Sequence, residues 1–316
     1  MISAWKIGWA RAAAAALLAH GLLMLAGLAP PAFAVQPGDA GLDEETHHNS
    51  IIDWRQKRHD RLASETGWLT LIGLEWLKEG ENRIGSAPGN DIRLAGGPDY
   101  WGAVYLDQGA LKFVRAAGKS VAVDGVYPDE VRMLSDSDGE PTLVSSGSLS
   151  FFPIFRESYA LRIKDSQAPA RIQFEGVGNF DIQEDWRING RFIRAEEGRT
   201  IEIGNVLGQI YPSAVAGEVE FERDGQTFRL VALVEEDSES LWVIFADRTS
   251  GRGTYGAGRF LYSDGVPENG HLILDFNKAY NPPCAFNDYS TCPLPPQQNR
   301  LNLAVTAGEK DFHVAQ

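Results

Sequence analysis

The residues best suited to chemistry gather near the C-terminus of this 316-residue chain, in LDFNKAYNPPCAFNDYSTCPLPPQQNRLNLAV. A strand pattern delivers Asp275 and Asn277, and the following segment holds Tyr280, Asn281, Asn287 and Tyr289 among prolines and both cysteines. Proline and a covalent closure lower the entropy of a loop, so its polar side chains can be set before a ligand arrives. Upstream, FADRTSGRGTYGAGRFLYSDG supplies Arg248, Arg252, Thr254, Tyr255 and Arg259. Guanidinium forks and backbone N–H groups freed by glycine suit a carboxylate or phosphate. The glycine spacing matches no nucleotide fingerprint, because no helix pattern follows. Both segments also admit a plainer reading, as a cap over one end of a β barrel and a tight turn with surface arginines.

Three functions are compatible with these residues. The leading one is a binding or accessory protein whose pocket lies near the 248–259 and 275–292 loops. Its partner would be a small polar or anionic ligand, or another component of the cell envelope. The second is a hydrolase-like enzyme with Asp275 as acid/base, aided by Tyr280 or Tyr255 and an arginine clamp. The third is an envelope module with no small-molecule site. On the first two readings, Arg259→Ala and Asp275→Asn abolish function and barely move the melting temperature.

Other constellations are weaker. His47, His48 and His59 lie near a terminus without a completing ligand. Asp136-Ser137-Asp138-Gly139-Glu140 echoes a calcium loop but lacks the distal bidentate Glu. Neither a nucleophile elbow nor a dinucleotide or metalloprotease motif occurs. No cofactor and no metal are expected.

Positioning these residues requires a scaffold, and the pattern from Trp68 onward is almost entirely β. Short apolar runs punctuated by Gly, Pro, Asn and Asp recur about every ten residues, as in antiparallel sandwiches and barrels. The expectation is an all-β protein of two β-rich domains, a sandwich over 67–165 and a second antiparallel sandwich or barrel over 170–316. DSQAPAR is the boundary, with ARIQFEG opening the second set and RLNLAVTAGEKDF closing it as a strand. Ahead of them, Ile51, Trp54, Arg58 and Leu62 fall at helical spacing. They predict an amphipathic helix over 51–66, preceded by a flexible linker over 35–50.

GENRIGSAPGNDIRL resembles the opening of a forkhead-associated domain, a β-sandwich. The resemblance implies architecture and not phosphopeptide binding, since Ser86 stands where that family carries its phosphothreonine-binding Arg. From about Trp54 to the C-terminus, three blocks in order resemble the domain-of-unknown-function family number 1684. They are GWLTLIGLEWLKEGENRIGS, DRTSGRGTYGAGRFLY and the proline- and asparagine-rich loop. That resemblance implies domain extent and no activity.

The N-terminus reads as an export signal. Lys6 and Arg11 are the sole charges before Asp39, an Ala/Leu/Gly-rich apolar run follows, and Ala32-Phe33-Ala34 ends it. Cleavage after Ala34 is expected, with a periplasmic or secreted, soluble product and no stable membrane insertion; the alternative is an uncleaved N-terminal anchor. Cleavage removes two cations, so the formal net charge of −14 becomes −16. Such a field repels phosphate backbones and argues against nucleic acid. In an oxidising compartment, Cys284 and Cys292 are expected to form a disulfide; the rival reading, a pair of metal-binding thiolates, lacks a nearby His or third Cys to complete a site.

Overall fold

In a computed structural model, residues 43–235 and 238–312 are described; the segment expected to be an export signal lies outside them. Asp43 caps the first helix, its Oδ1 accepting from Thr46 N at 3.0 Å. Glu44 and Glu45 occupy the first turn, where the helix dipole favours negative charge. The helix, α1, therefore spans Glu44–Ala63, beginning before the expected residue 51 and taking in the end of the expected linker. Its buried face is the expected one, extended a turn earlier by His47.

Ten strands follow: β1 Leu71–Trp76, β2 Gly80–Gly85, β3 Ile92–Arg93, β4 Gly102–Asp107, β5 Ala110–Arg115, β6 Ala122–Val123, β7 Glu130–Met133, β8 Val144–Ser146, β9 Leu149–Arg156 and β10 Ser158–Asp165. They form two five-stranded sheets, in the orders β1-β10-β9-β8-β6 and β3-β2-β4-β5-β7. Period-2 alternation sends Val104 and Phe113 from one sheet and Phe151, Leu161 and Ile163 from the other into a shared core around Trp101. ARIQFEG is not a strand. Pro169, whose fixed φ suits a first helical position, starts a short helix, α2 (Pro169–Ile172).

The remaining strands are β11 Arg187–Arg194, β12 Thr200–Gly204, β13 Ile210–Arg223, β14 Gln226–Leu233, β15 Trp242–Phe245, β16 Arg259–Tyr262 and β17 His271–Asp275. They build one sheet in the order β16-β15-β14-β13-β11-β17, with β12 paired to β13. The all-β expectation holds. This sheet is buried on both faces along the second half of β14 and through most of β15. On β14, Phe228, Leu230 and Ala232 join one core with Trp186, Phe245 and Phe276, while Val231 and Leu233 join another with Ile244, Phe260 and Cys292. The first face is covered by Leu301, Leu303, Val305 and Ala307.

That covering segment was expected as a strand and is not one. Its pairing is sporadic: Leu301 N donates to Ala246 O and Arg248 N to Leu303 O. The fully buried Asn299 replaces a ladder, its Nδ2 donating to Val231 O at 3.0 Å and to Ile244 O at 2.9 Å. One amide thus spans β14 and β15, which pair directly only at Leu233 and Trp242.

All the described residues belong to one compact unit. Among them, no helix is long and apolar enough to cross a membrane.

Candidate functional site

Most of the C-terminal loop's polar residues face inward. Asp275, fully buried, has its Oδ2 2.8 Å from His47 Nε2, and its Oδ1 accepts from the amide and side chain of Asn277. Asn277 in turn exchanges hydrogen bonds with the backbone of Gln183. Arg58 of α1 donates from Nε to Glu309 Oε1 at 2.9 Å and from Nη2 to Asn281 O at 2.8 Å. Its guanidinium lies over the rings of Tyr280 and Phe286. Burial pushes the Tyr280 phenol up to about 12. Asn281 Nδ2 donates to Lys310 O. These groups fasten α1 to the loop, and His47 reaches Asp275 across 228 residues of chain.

The arginine-rich turn is likewise committed. Arg259 is almost wholly buried and donates to the carbonyls of Val305, Ala307 and Glu309 and to Asp247 Oδ2. Thr254 meets Thr249 through their hydroxyls, and Tyr255 Oη donates to Cys284 O. Arg248 donates to Asn302 from the surface, and Arg252 is exposed. Asn287 ties the loop to Trp68 O, and Tyr289 projects to solvent. The structure thus brings the two loops together, chiefly to satisfy each other. Cys284 and Cys292 are disulfide-bonded with their Cα atoms 6.1 Å apart. Breaking this short closure costs about 2.5 kcal/mol in the chain-entropy model. Urea unfolding of Cys284→Ser/Cys292→Ser checks it; an unchanged midpoint removes the bond from the loop's stability.

One concavity lies on the outer flank of the same loop. A cleft of about 470 Å3 opens between the β9–β10 hairpin and the second sheet, lined by Phe155, Arg156, Asn205, Ile210, Tyr211, Trp242, Thr291 and Pro293 among others. Its size and largely apolar wall are those of a small-molecule site at a boundary between β cores. Arg156 pairs with Asp136 through both guanidinium nitrogens, at 3.1 and 2.8 Å. Its Nε donates to Thr291 Oγ1, and so does Nη2 of Arg162, at 3.1 Å.

Arg162 is the unusual member. It is 7% exposed, stacks on Trp68, and has an Nε with no partner. Among the described residues no carboxylate forms an ion pair with it. Burial, and then the neighbouring Arg156, push it down to about 10, so it remains charged at neutral pH. Two guanidiniums therefore share Asp136. Burial also raises the Tyr211 phenol.

A second cavity, about 300 Å3, lies between α1 and residues 175–179 and is lined by Trp54, Arg55, Arg58, His59, Glu175 and Asn179 among others. His59 stacks on Phe174 there, and burial lowers Arg55. Of the acidic hairpin residues, Asp138 caps Ser135, while Asp136 belongs to the cleft's arginine pair.

Comparison with known proteins places the second half of the chain. Residues 172–310 match the model of a family described as a protein of unknown function, DUF1684. Over that segment the chain belongs to the DUF1684 family. An uncharacterized protein of Haloarcula marismortui, solved by NMR in solution, is 33% identical, with 44% of this chain and 78% of that one covered and a TM-score of 0.38. No curated protein matches. The DUF1684 segment contains Tyr211, Trp242, Thr291 and the disulfide loop, whereas Arg156 and Arg162 come from the β-sandwich before it. Apart from Phe155, the cleft's apolar wall thus lies within the matched segment, and its arginines lie before it.

Sequence reasoning missed Arg156, Arg162, Thr291, Tyr211 and Trp242. In YALRIKD, Arg162 alternates with Leu161 and Ile163 and reads as solvent-facing. The outer face of β10 is instead covered by Trp68, and Asn287 holds the disulfide loop to that same residue.

Proposed function

We propose that this protein is an exported binding protein for a small anionic ligand with an apolar body, held in the cleft between the β-sandwich and the DUF1684 segment. The observation that carries the reading is Arg162, a buried cation without a carboxylate of its own, one hydroxyl behind a largely apolar cleft wall. An unpaired buried charge destabilises a fold, and an incoming anion offsets that cost. In a chain of net charge −14, a local positive centre is what lets an anion approach. Arg156, in the wall itself, would contact the anion, while Tyr211, Ile210 and Trp242 would cover the apolar body. Export is supported by the signal pattern and by the disulfide.

Anilinonaphthalene sulfonate, which combines a sulfonate with aromatic rings, is a suitable probe. It should bind the native protein with one-to-one stoichiometry. Arg156→Ala should weaken it about tenfold or more, the worth of a hydrogen bond to a charged group. Arg162→Met should also weaken it while leaving the melting temperature unchanged or higher, because the variant removes an unpaired charge. Binding indifferent to both substitutions would place the site elsewhere.

A further inference from the structure

We infer that the ligand of this cleft is an anionic single-chain amphiphile, with its head at Arg156 and its alkyl chain leaving across the tip of the β12–β13 hairpin. The inference rests on the binding role proposed above and adds the ligand's class. From Ile203 to Gly217 there is no charged residue, in a chain that is 23% charged. Within that stretch Val206 and Leu207 are each 43% exposed and Ile210 is 62% exposed. Ile210 also lines the cleft beside Tyr211, so the exposed apolar surface and the cleft wall are continuous.

This exposure is built in. Asn205, 4% exposed, accepts from Leu207 N at 2.9 Å and Gln209 N at 3.1 Å through Oδ1, and its Nδ2 donates to Gln209 Oε1. Gly208 takes φ +82°, which a side chain would strain. Val206 N donates to Cys292 O, and Gln209 Nε2 to Arg156 O at 2.6 Å. The tip is therefore locked to the disulfide loop on one side and to the cleft's arginine on the other, and it holds three large apolar side chains in water. A ligand that is all polar would use the arginine and leave this surface wet. One that is all apolar would leave the Arg162 charge unmet. An anionic head on an alkyl chain meets both.

Calorimetry with butanoate, hexanoate, octanoate and decanoate, each below its micelle concentration, tests the inference on the intact protein. Affinity should rise about fourfold per methylene, the transfer of one CH2 out of water. Leu207→Asp should lower decanoate affinity about tenfold or more and leave binding of anilinonaphthalene sulfonate unchanged, because the probe has no alkyl chain to reach the tip and Leu207 does not line the cleft. A single-chain phosphate monoester of the same length should compete with decanoate, and the tighter of the two names the natural head. An affinity that does not depend on chain length, with Arg156-dependent probe binding retained, overturns this inference and leaves the binding role standing. Failure of every anion, the probe included, overturns both. A concentration-dependent dimer abolished by Leu207→Asp would show that a second copy covers the tip, and would also overturn the inference.

Discussion

Arg259→Met should lower unfolding free energy by about 3–5 kcal/mol, the cost of leaving a buried charge without its partner. For a chain of this size, that is a fall in melting temperature of about 5–8 °C. The guanidinium donates to three backbone carbonyls, of Val305, Ala307 and Glu309, and to Asp247 Oδ2 at 3.0 Å. Both side chains of the pair are essentially without solvent, at 0% and 1%. Asp247 is itself a hub, its Oδ1 accepting from Thr249 N and Oγ1 and from Val305 N. Loss of Arg259 would strand that carboxylate and free the segment that covers one face of the second sheet. Arg259→Lys keeps the charge but not the planar fork, and should recover only part of the loss. The residue types alone suggest the opposite outcome, a folded protein that has lost its ligand. Thermal melts of Arg259→Met within about 2 °C of the parent would restore that reading.

The contrast shows what a sequence of this kind exposes. The apolar run in TFRLVAL places β14, whose last four residues are buried in succession, and Asp224-Gly225 marks its hairpin, with both residues at positive φ. Helical spacing identifies the face of α1, since Ile51 and Leu62 are indeed buried. What spacing cannot give is the partner across the chain. Arg58 reads as an apolar stem ending in a solvated charge, and only the fold brings it to Glu309, 251 residues on. Likewise RLNLAV has a strand's composition, yet it pairs only at isolated points because the Asn299 amide already satisfies β14 and β15. Polar residues in the disulfide loop were legible as preorganised. Their preorganisation serves the loop's own backbone and the docking of α1, while Thr291 and Pro293 at its edge meet the cleft.

Glu309→Leu should release α1. Glu309 is 1% exposed and divides its carboxylate between two tasks: Oε1 accepts from Arg58 Nε, and Oε2 accepts from Asn281 N at 2.7 Å. Arg58 closes the ring by donating to Asn281 O. Helix, loop and C-terminal segment are thus joined through one ion pair whose side chains are 12% and 2% exposed. Removing the acid leaves a guanidinium over Tyr280 and Phe286 with its charge unmet, a loss of about 3–5 kcal/mol. Removing both charges should cost less than removing the acid alone, so Arg58→Met in the Glu309→Leu background should recover part of the stability. Backbone amides of α1 should exchange with solvent faster in Glu309→Leu than those of β14, because the helix opens before the sheet does. Urea unfolding of the four proteins in the cycle, with hydrogen exchange on each, measures both effects. Strictly additive single-variant losses, or equal acceleration of α1 and β14, would mean that the pair does not couple the helix to the loop, and that His47 and Asp275 hold α1 without it.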